Sequence, residues 1–211
     1  MSINASNEGS MNFQPIEAGN YLARCYAMVH IGTINEEVMG KPKQLNKCRI
    51  MWELPTELKE FKQGDGEKPW VVSSEFTLSL HEKAKLRIFL ESWRGKKFTE
   101  DEAKSFDITK LLGVPCTITI IHKTSKGGKT YAEVSGVSPV MKGMTVPPQV
   151  NKSFELNYDS FDFNAFNSLP EYVRKKMESS LEYKQMIDKL EGFEQEKKEI
   201  LGSITNEDLP F

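Results

Sequence analysis

Leu45-Asn-Lys-Cys-Arg-Ile-Met-Trp-Glu-Leu54 decides the class of the fold. Cys48, Ile50, Trp52 and Leu54 fall on one side of an extended chain, and Lys47, Arg49 and Glu53 on the other. Successive side chains of a strand point to opposite faces, so this period of two predicts a half-buried strand with a cationic outer face. Residues 70–80 alternate in the same way, with Trp70, Val72, Phe76, Leu78 and Leu80 opposed to Ser73, Glu75, Thr77 and Ser79. Upstream, 19–35 is dense in apolar and small residues and reads as a first strand, with Gly32 placed for a bend or bulge. Glu36–Lys43 reads as a loop carrying Lys41 and Lys43, and Pro55–Pro69 as a charged surface loop.

The period then changes. Between Glu82 and Trp93, residues Leu86, Phe89, Leu90 and Trp93 recur at three and four, which predicts an amphipathic helix stopped at Gly95. A connector through Phe98, Phe106 and Leu111-Leu112-Gly113 leads to a β-branched run, Val114–Lys123. Thr124–Lys129 holds a Gly-Gly turn and Thr130–Val137 closes a hairpin. The expected class is therefore mainly β. Five strands with one helix between the third and fourth is the order of an OB-fold barrel, though a five-stranded α+β meander gives the same string. The expected limits are a loose arm at 1–14, the barrel at 15–145, and an extended connector at 146–167 containing Phe154, Phe161, Phe163 and Phe166. Ser168 and Glu171 have capping-box spacing and open a helix over 168–202, striped by Val173, Met177, Leu181, Ile187, Leu190 and Ile200. Residues 203–211 form a short acidic tail.

Composition narrows the classes. Hydrophobic residues at 38% and aromatics at 10% suffice for a core, while 27% charged residues suit a soluble chain. No run approaches the roughly 18 consecutive apolar residues of a membrane helix. The polar start lacks the basic and apolar regions of a secretory signal. Cys25, Cys48 and Cys116 lie far apart in strand-like stretches, which suits buried thiols in a reduced cytoplasm and not a zinc or disulfide framework. Residues 1–150 carry 20 Lys/Arg against 17 Asp/Glu, and 151–211 carry 8 against 13, so a mildly basic body precedes an acidic end.

No catalytic constellation emerges. Gly128-Lys129-Thr130 resembles the end of a phosphate loop, but Lys123 stands where its first glycine belongs and a strand follows in place of a helix. His30, His81 and His122 lack ligand spacing, and no metal or cofactor is expected. Binding of single strands needs cations for phosphates and ring faces for bases. The outer strands and loops of the expected barrel supply Arg24, Lys41, Lys43, Lys47, Arg49, Lys123, Lys126 and Lys129 as cations. Tyr26, Trp70 and Tyr131 are the rings. Trp70 shares its parity with Phe76, so groove and core stay open for it, and a Lys-rich hairpin tip is also an ordinary solvated turn.

Two stretches carry a resemblance. Thr77-Leu-Ser-Leu-His-Glu-Lys-Ala-Lys-Leu-Arg87 with Glu91-Ser-Trp-Arg-Gly-Lys-Lys-Phe-Thr99, and Leu111-Leu-Gly-Val-Pro-Cys116, resemble a segment of small phage replication-module proteins regarded as OB-fold single-stranded-DNA-binding proteins. The likeness covers roughly 15–145. Glu207-Asp-Leu-Pro-Phe211 looks like the acidic Pro-Phe tip of bacterial single-stranded-DNA-binding proteins, with two acids where about three are usual and Leu where Ile is common. The resemblance implies a non-enzymatic coat for single-stranded DNA in the bacterial cytoplasm. Its tip would dock a helicase, primase, nuclease or recombination mediator. The long helix reads from its own apolar stripe as a packing or self-association element. An OB-type adaptor acting on replisome or host proteins is the rival reading. A nuclease is a third class, for which no metal-binding carboxylates are visible.

Overall fold

The computed structural model of the chain describes residues 14–61, 63–125 and 127–203, with side chains to residue 195. The chain is mainly β. Strands β1 (Gly19–Val38), β2 (Lys41–Glu60), β3 (Glu67–Thr77), β4 (Pro115–Thr124) and β5 (Thr130–Ser138) form one antiparallel path in the order β3-β2-β1-β4-β5. β6 (Phe154–Leu156) adds to β1 in parallel. Edges β3 and β5 approach one another across the remaining gap with no ladder between them.

The expected loop at 36–43 is a strand. Val38 pairs with Lys41, so only Met39 and Gly40 turn, both at positive φ. Those two left-handed residues give the turn whose twist matches the flanking strands. β2 likewise runs past Leu54. Leu54 pairs with Trp70 and Leu58 with Pro69, so Pro55, Thr56 and Glu57 bulge from the ladder. β1 bends at two irregularities, near Tyr26 and at Ile31. Gly32 is required beside the second: its φ is +93°, and a Cβ there would lie 2.7 Å from Ser180 Cβ. The bulge expected at Gly32 is thus present.

The first core lies on the inner face of the sheet. Cys48, Ile50, Trp52 and Leu54 point into it as their alternation predicts, with Cys25, Cys116, Ile118 and Ile120 from β1 and β4. Helix α1 (Lys85–Arg94) closes one end by placing Phe89 4.8 Å from Phe76 and Trp93 5.8 Å from Trp52, centroid to centroid. Burying each large apolar side chain contributes about 1.5–3 kcal/mol. Gly95 ends α1 in the left-handed conformation at φ 66°. The expected connector after it contains helix α2 (Glu100–Ser105), opened by a reciprocal Thr99–Glu102 capping box, and a single 3-10 turn at Ile108–Leu111.

A second core lies on the outer face, and here the structure departs from expectation. β4 pairs with β1 only as far as Arg24, and β6 takes over that side at Ala27–Val29. Helices α3 (Phe163–Ser168), α4 (Glu171–Glu178) and α5 (Leu181–Ser203) follow. Phe166, Leu169, Val173 and Met177 bury Tyr26, Val29, Ile31 and Met51 beneath them. Residues 146–167 are therefore not a plain extended connector, and 168–202 is not one helix. Ser168 ends α3, Pro170 stands at the N-cap of α4, and no capping box forms there. Proline restricts the preceding residue to extended backbone, which separates the two helices.

A buried and a half-buried charge fasten this segment. Glu53 is wholly buried, and its carboxylate accepts from Val150 N–H (2.6 Å), Asn151 N–H (2.7 Å) and Asn151 Nδ2 (2.7 Å). Opposite it in register, Arg24 donates to the carbonyls of Gly113, Val146 and Pro147 at 2.9, 3.1 and 2.7 Å. A third tie joins α5 to β1: Glu182 accepts from Thr33 N–H (2.6 Å) and Thr33 Oγ1 (2.7 Å). Burial opposes the charge on Glu182, but these bonds hold its carboxyl below the usual range. Beyond this tie α5 is largely exposed, and no described helix is long and apolar enough to cross a membrane.

Candidate nucleic-acid interface

The gap between β3 and β5 is a cleft of about 600 Å³. Trp70 to Glu75 form one wall and Tyr131 to Glu133 the other, with Arg49 from β2, Lys85 at the start of α1 and Tyr172 from α4. Pro15 and Ile16 enter along it, and the Ile16 carbonyl lies 2.8 Å from His122 Nε2. Strand alternation accounts for the mixture. At an unpaired edge both faces of β3 border the same opening, so Trp70 and Val72 pack against the inner core while Ser73 and Glu75 carry the outer polar wall.

Trp70 answers the choice left open by its parity. Its ring is half-buried against the inner core and also lines the cleft. Phe61 meets it edge-on at 5.2 Å and Lys59 Nζ lies 4.9 Å from its centroid. Tyr131 faces it across the gap with 42% of its surface exposed.

A paired charge network borders the outer side. Lys47 Nζ reaches Glu36 Oε2 at 2.6 Å and Glu75 Oε1 at 2.9 Å, and Lys176 Nζ from α4 reaches the same two carboxylates at 3.0 and 2.6 Å. Burial disfavours both carboxylates, yet the two ammonium groups hold them below the ordinary range. Burial also works against the charge on Lys47, and its carboxylate partners raise its pKa instead. Arg49 adds a third cation: Nη1 donates to Ser73 Oγ at 2.7 Å and to Tyr172 Oη at 3.1 Å, while Nη2 lies 3.6 Å from Glu75 Oε2. Three cations against two carboxylates leave one positive charge here. Lys123 is matched by Glu133 at 2.8 Å, an exposed pair of little energetic weight.

The cleft gathers Arg49, Trp70 and Tyr131 from the expected residues. Lys47 and Lys123 stand behind it as ion-pair partners of its lining carboxylates Glu75 and Glu133. Lys41 and Lys43 are exposed near the end of the β1–β2 hairpin, and Lys129 is exposed in the β4–β5 turn; none lines the cleft. Arg24 and Tyr26 are placed differently from expectation. Arg24 spends its guanidinium on three backbone carbonyls, and Tyr26, only 9% exposed, is covered by the C-terminal segment and packs edge-on to Phe154 at 6.2 Å. Lys126 and the tip, Glu207, Asp208, Leu209, Pro210 and Phe211, lie outside the described residues.

Sequence reasoning missed Tyr172, Lys85 and Lys176. Tyr172 had a signal: it is an aromatic beside, not on, the apolar stripe of Val173 and Met177. Lys85 and Lys176 had none, because each is brought to the cleft by a helix whose docking the sequence does not specify.

Reactive chemistry is poorly served. Cys25, Cys48 and Cys116 are buried, and burial pushes the thiols up, to about 12 for Cys25 and Cys48. Thiols held so far above neutrality are not nucleophiles. Among the described residues no three His, Cys, Asp or Glu side chains gather as a metal site. What the cleft offers is ring faces, a guanidinium, hydroxyls and a modest positive surplus. Compared with protein families and curated proteins, the chain matches no family model and no curated relative.

Proposed function

We propose that this protein binds single-stranded DNA without catalysis, as a coat in phage replication or recombination, with the β3–β5 cleft as its groove. The observation that carries the reading is the convergence of Trp70, Tyr131, Tyr172 and Arg49 on one opening. Rings accept any base by stacking, at about 1–3 kcal/mol each, and a guanidinium takes phosphate oxygens. The strand order fits an OB-type barrel slit between its third and fifth strands. On the resemblance drawn above, the Pro-Phe tip recruits a replication or recombination protein.

Fluorescence anisotropy with labelled oligo-dT tests the reading. Binding at low salt is expected, with affinity falling for Trp70→Ala by about 1–3 kcal/mol. No binding, or undiminished binding by Trp70→Ala in a folded protein, would refute it.

One feature supports the adaptor reading. Leu190 and Phe193 on α5 are 43% and 68% exposed, and exposed apolar side chains on one helix suit a protein partner. Pull-down from host lysate after nuclease treatment separates the two, since an adaptor keeps its partner once nucleic acid is destroyed.

A further inference from the structure

The Arg49–Tyr172 contact joins the sheet to α4 at the mouth of the cleft. Tyr172 is 60% exposed, while its neighbours Val173 and Met177 are buried and fix the helix. Lys176 also anchors α4 through Glu36 and Glu75. The ring of Tyr172 is therefore free to turn about its own side-chain bonds without the helix moving. Its hydroxyl occupies Arg49 Nη1 at 3.1 Å, and the guanidinium lies 5.1 Å from its ring centroid. Arg49 is at the same time under-used. Its side chain is 13% exposed, Nε is buried with no hydrogen-bond partner among the described residues, and its carboxylate neighbour Glu75 is 3.6 Å away and already holds two lysines.

We infer that Tyr172 is a nucleotide-binding residue held in reserve by Arg49: a backbone phosphate of a single strand displaces the phenol from the guanidinium, and the freed ring stacks on the adjacent base. The inference rests on the single-strand-binding reading and deepens it by stating what holds the α4 wall of the groove back and what releases it. Charge favours the exchange. A phosphate oxygen carries negative charge and forms a shorter, stronger bond to guanidinium than a neutral phenol does. The planar guanidinium can also give two parallel N–H bonds to one phosphate, which a single phenol oxygen cannot match. Stacking then replaces the cation–π contact that Tyr172 gives up.

The hydroxyl and the ring thus have opposite effects, and substitution separates them. Dissociation constants for oligo-dT at low salt are measured for the unsubstituted protein, Tyr172→Phe, Tyr172→Ala and Trp70→Ala, with circular dichroism and thermal melting as folding checks. Tyr172→Phe keeps the ring and removes the competitor, so it is expected to bind as tightly or a few-fold more tightly. Tyr172→Ala is expected to bind about tenfold more weakly, the loss of one stacked base. If Tyr172→Ala binds like the unsubstituted protein while Trp70→Ala loses affinity, the inference falls and the cleft reading stands. Equal weakening of the Phe and Ala variants would also overturn it, because the hydroxyl would then be a contact and not a competitor. Absence of binding by the unsubstituted protein would end both.

Discussion

Salt dependence is where the charge arrangement of the cleft makes its sharpest prediction. Five cations border the opening: Lys47, Arg49, Lys85, Lys123 and Lys176. Glu36, Glu75 and Glu133 already neutralise three of them. About two are left to displace counterions from a strand. For single strands log K falls with log salt at about −0.7 per neutralised phosphate, so the expected slope is about −1.4. Raising salt from about 50 to about 200 mM should then weaken binding only about sevenfold. The assay is an anisotropy titration of labelled oligo-dT at five or six salt concentrations, at fixed pH. A flat line would mean that phosphates are not engaged at all. A slope near −3.5, the value for five unpaired cations, would mean that both the Glu36–Lys47–Glu75–Lys176 network and the Lys123–Glu133 pair open on binding, and the accounting would be wrong.

Gly32→Ala should cost about 2–5 kcal/mol in urea unfolding, because the residue combines positive φ with a clash against Ser180 Cβ. Gly40→Ala, also at positive φ but in open space, should cost only about 1 kcal/mol, and equal losses would discredit the packing argument. The depressed carboxyls of Glu36 and Glu75 bind protons more readily in the unfolded chain than in the folded one. Their contribution to stability is present above the ordinary carboxylate value of 4.5 and is lost as pH falls through the lower folded values. Thermal melting from about pH 5 to about pH 3 should show a fall that is shallower in Glu75→Gln; parallel curves would exclude this network as the cause.

How much of this was legible in the sequence follows the range of the interactions. The inward set of β2, the amphipathic α1 and the β4–β5 hairpin are local patterns, each complete within about two dozen residues. Met39-Gly40 was hidden because Met is an unusual residue at positive φ, so a two-residue turn looked like a loop. The outer face of the sheet is hidden for a different reason. Alternation marks Glu53 as outward, and on a half-buried strand outward reads as solvent. Its partners lie 97 and 98 residues further on, and those of Arg24 up to 123. No local period encodes that cover. The cleft was half legible: Arg49, Trp70 and Tyr131 came from strands whose order was readable, whereas Tyr172 arrives on a helix whose docking was not.

The shared use of β1 by two cores bears on how the chain is made. Synthesis proceeds from the N-terminus, so β1, β2 and α1 leave the ribosome long before residues 150–177 exist. Until then Val29, Ile31, Met51 and the carboxylate of Glu53 have no lid. The nascent protein therefore passes through a stage with a greasy, chaperone-attracting flank, and truncation before residue 177 would make that stage permanent.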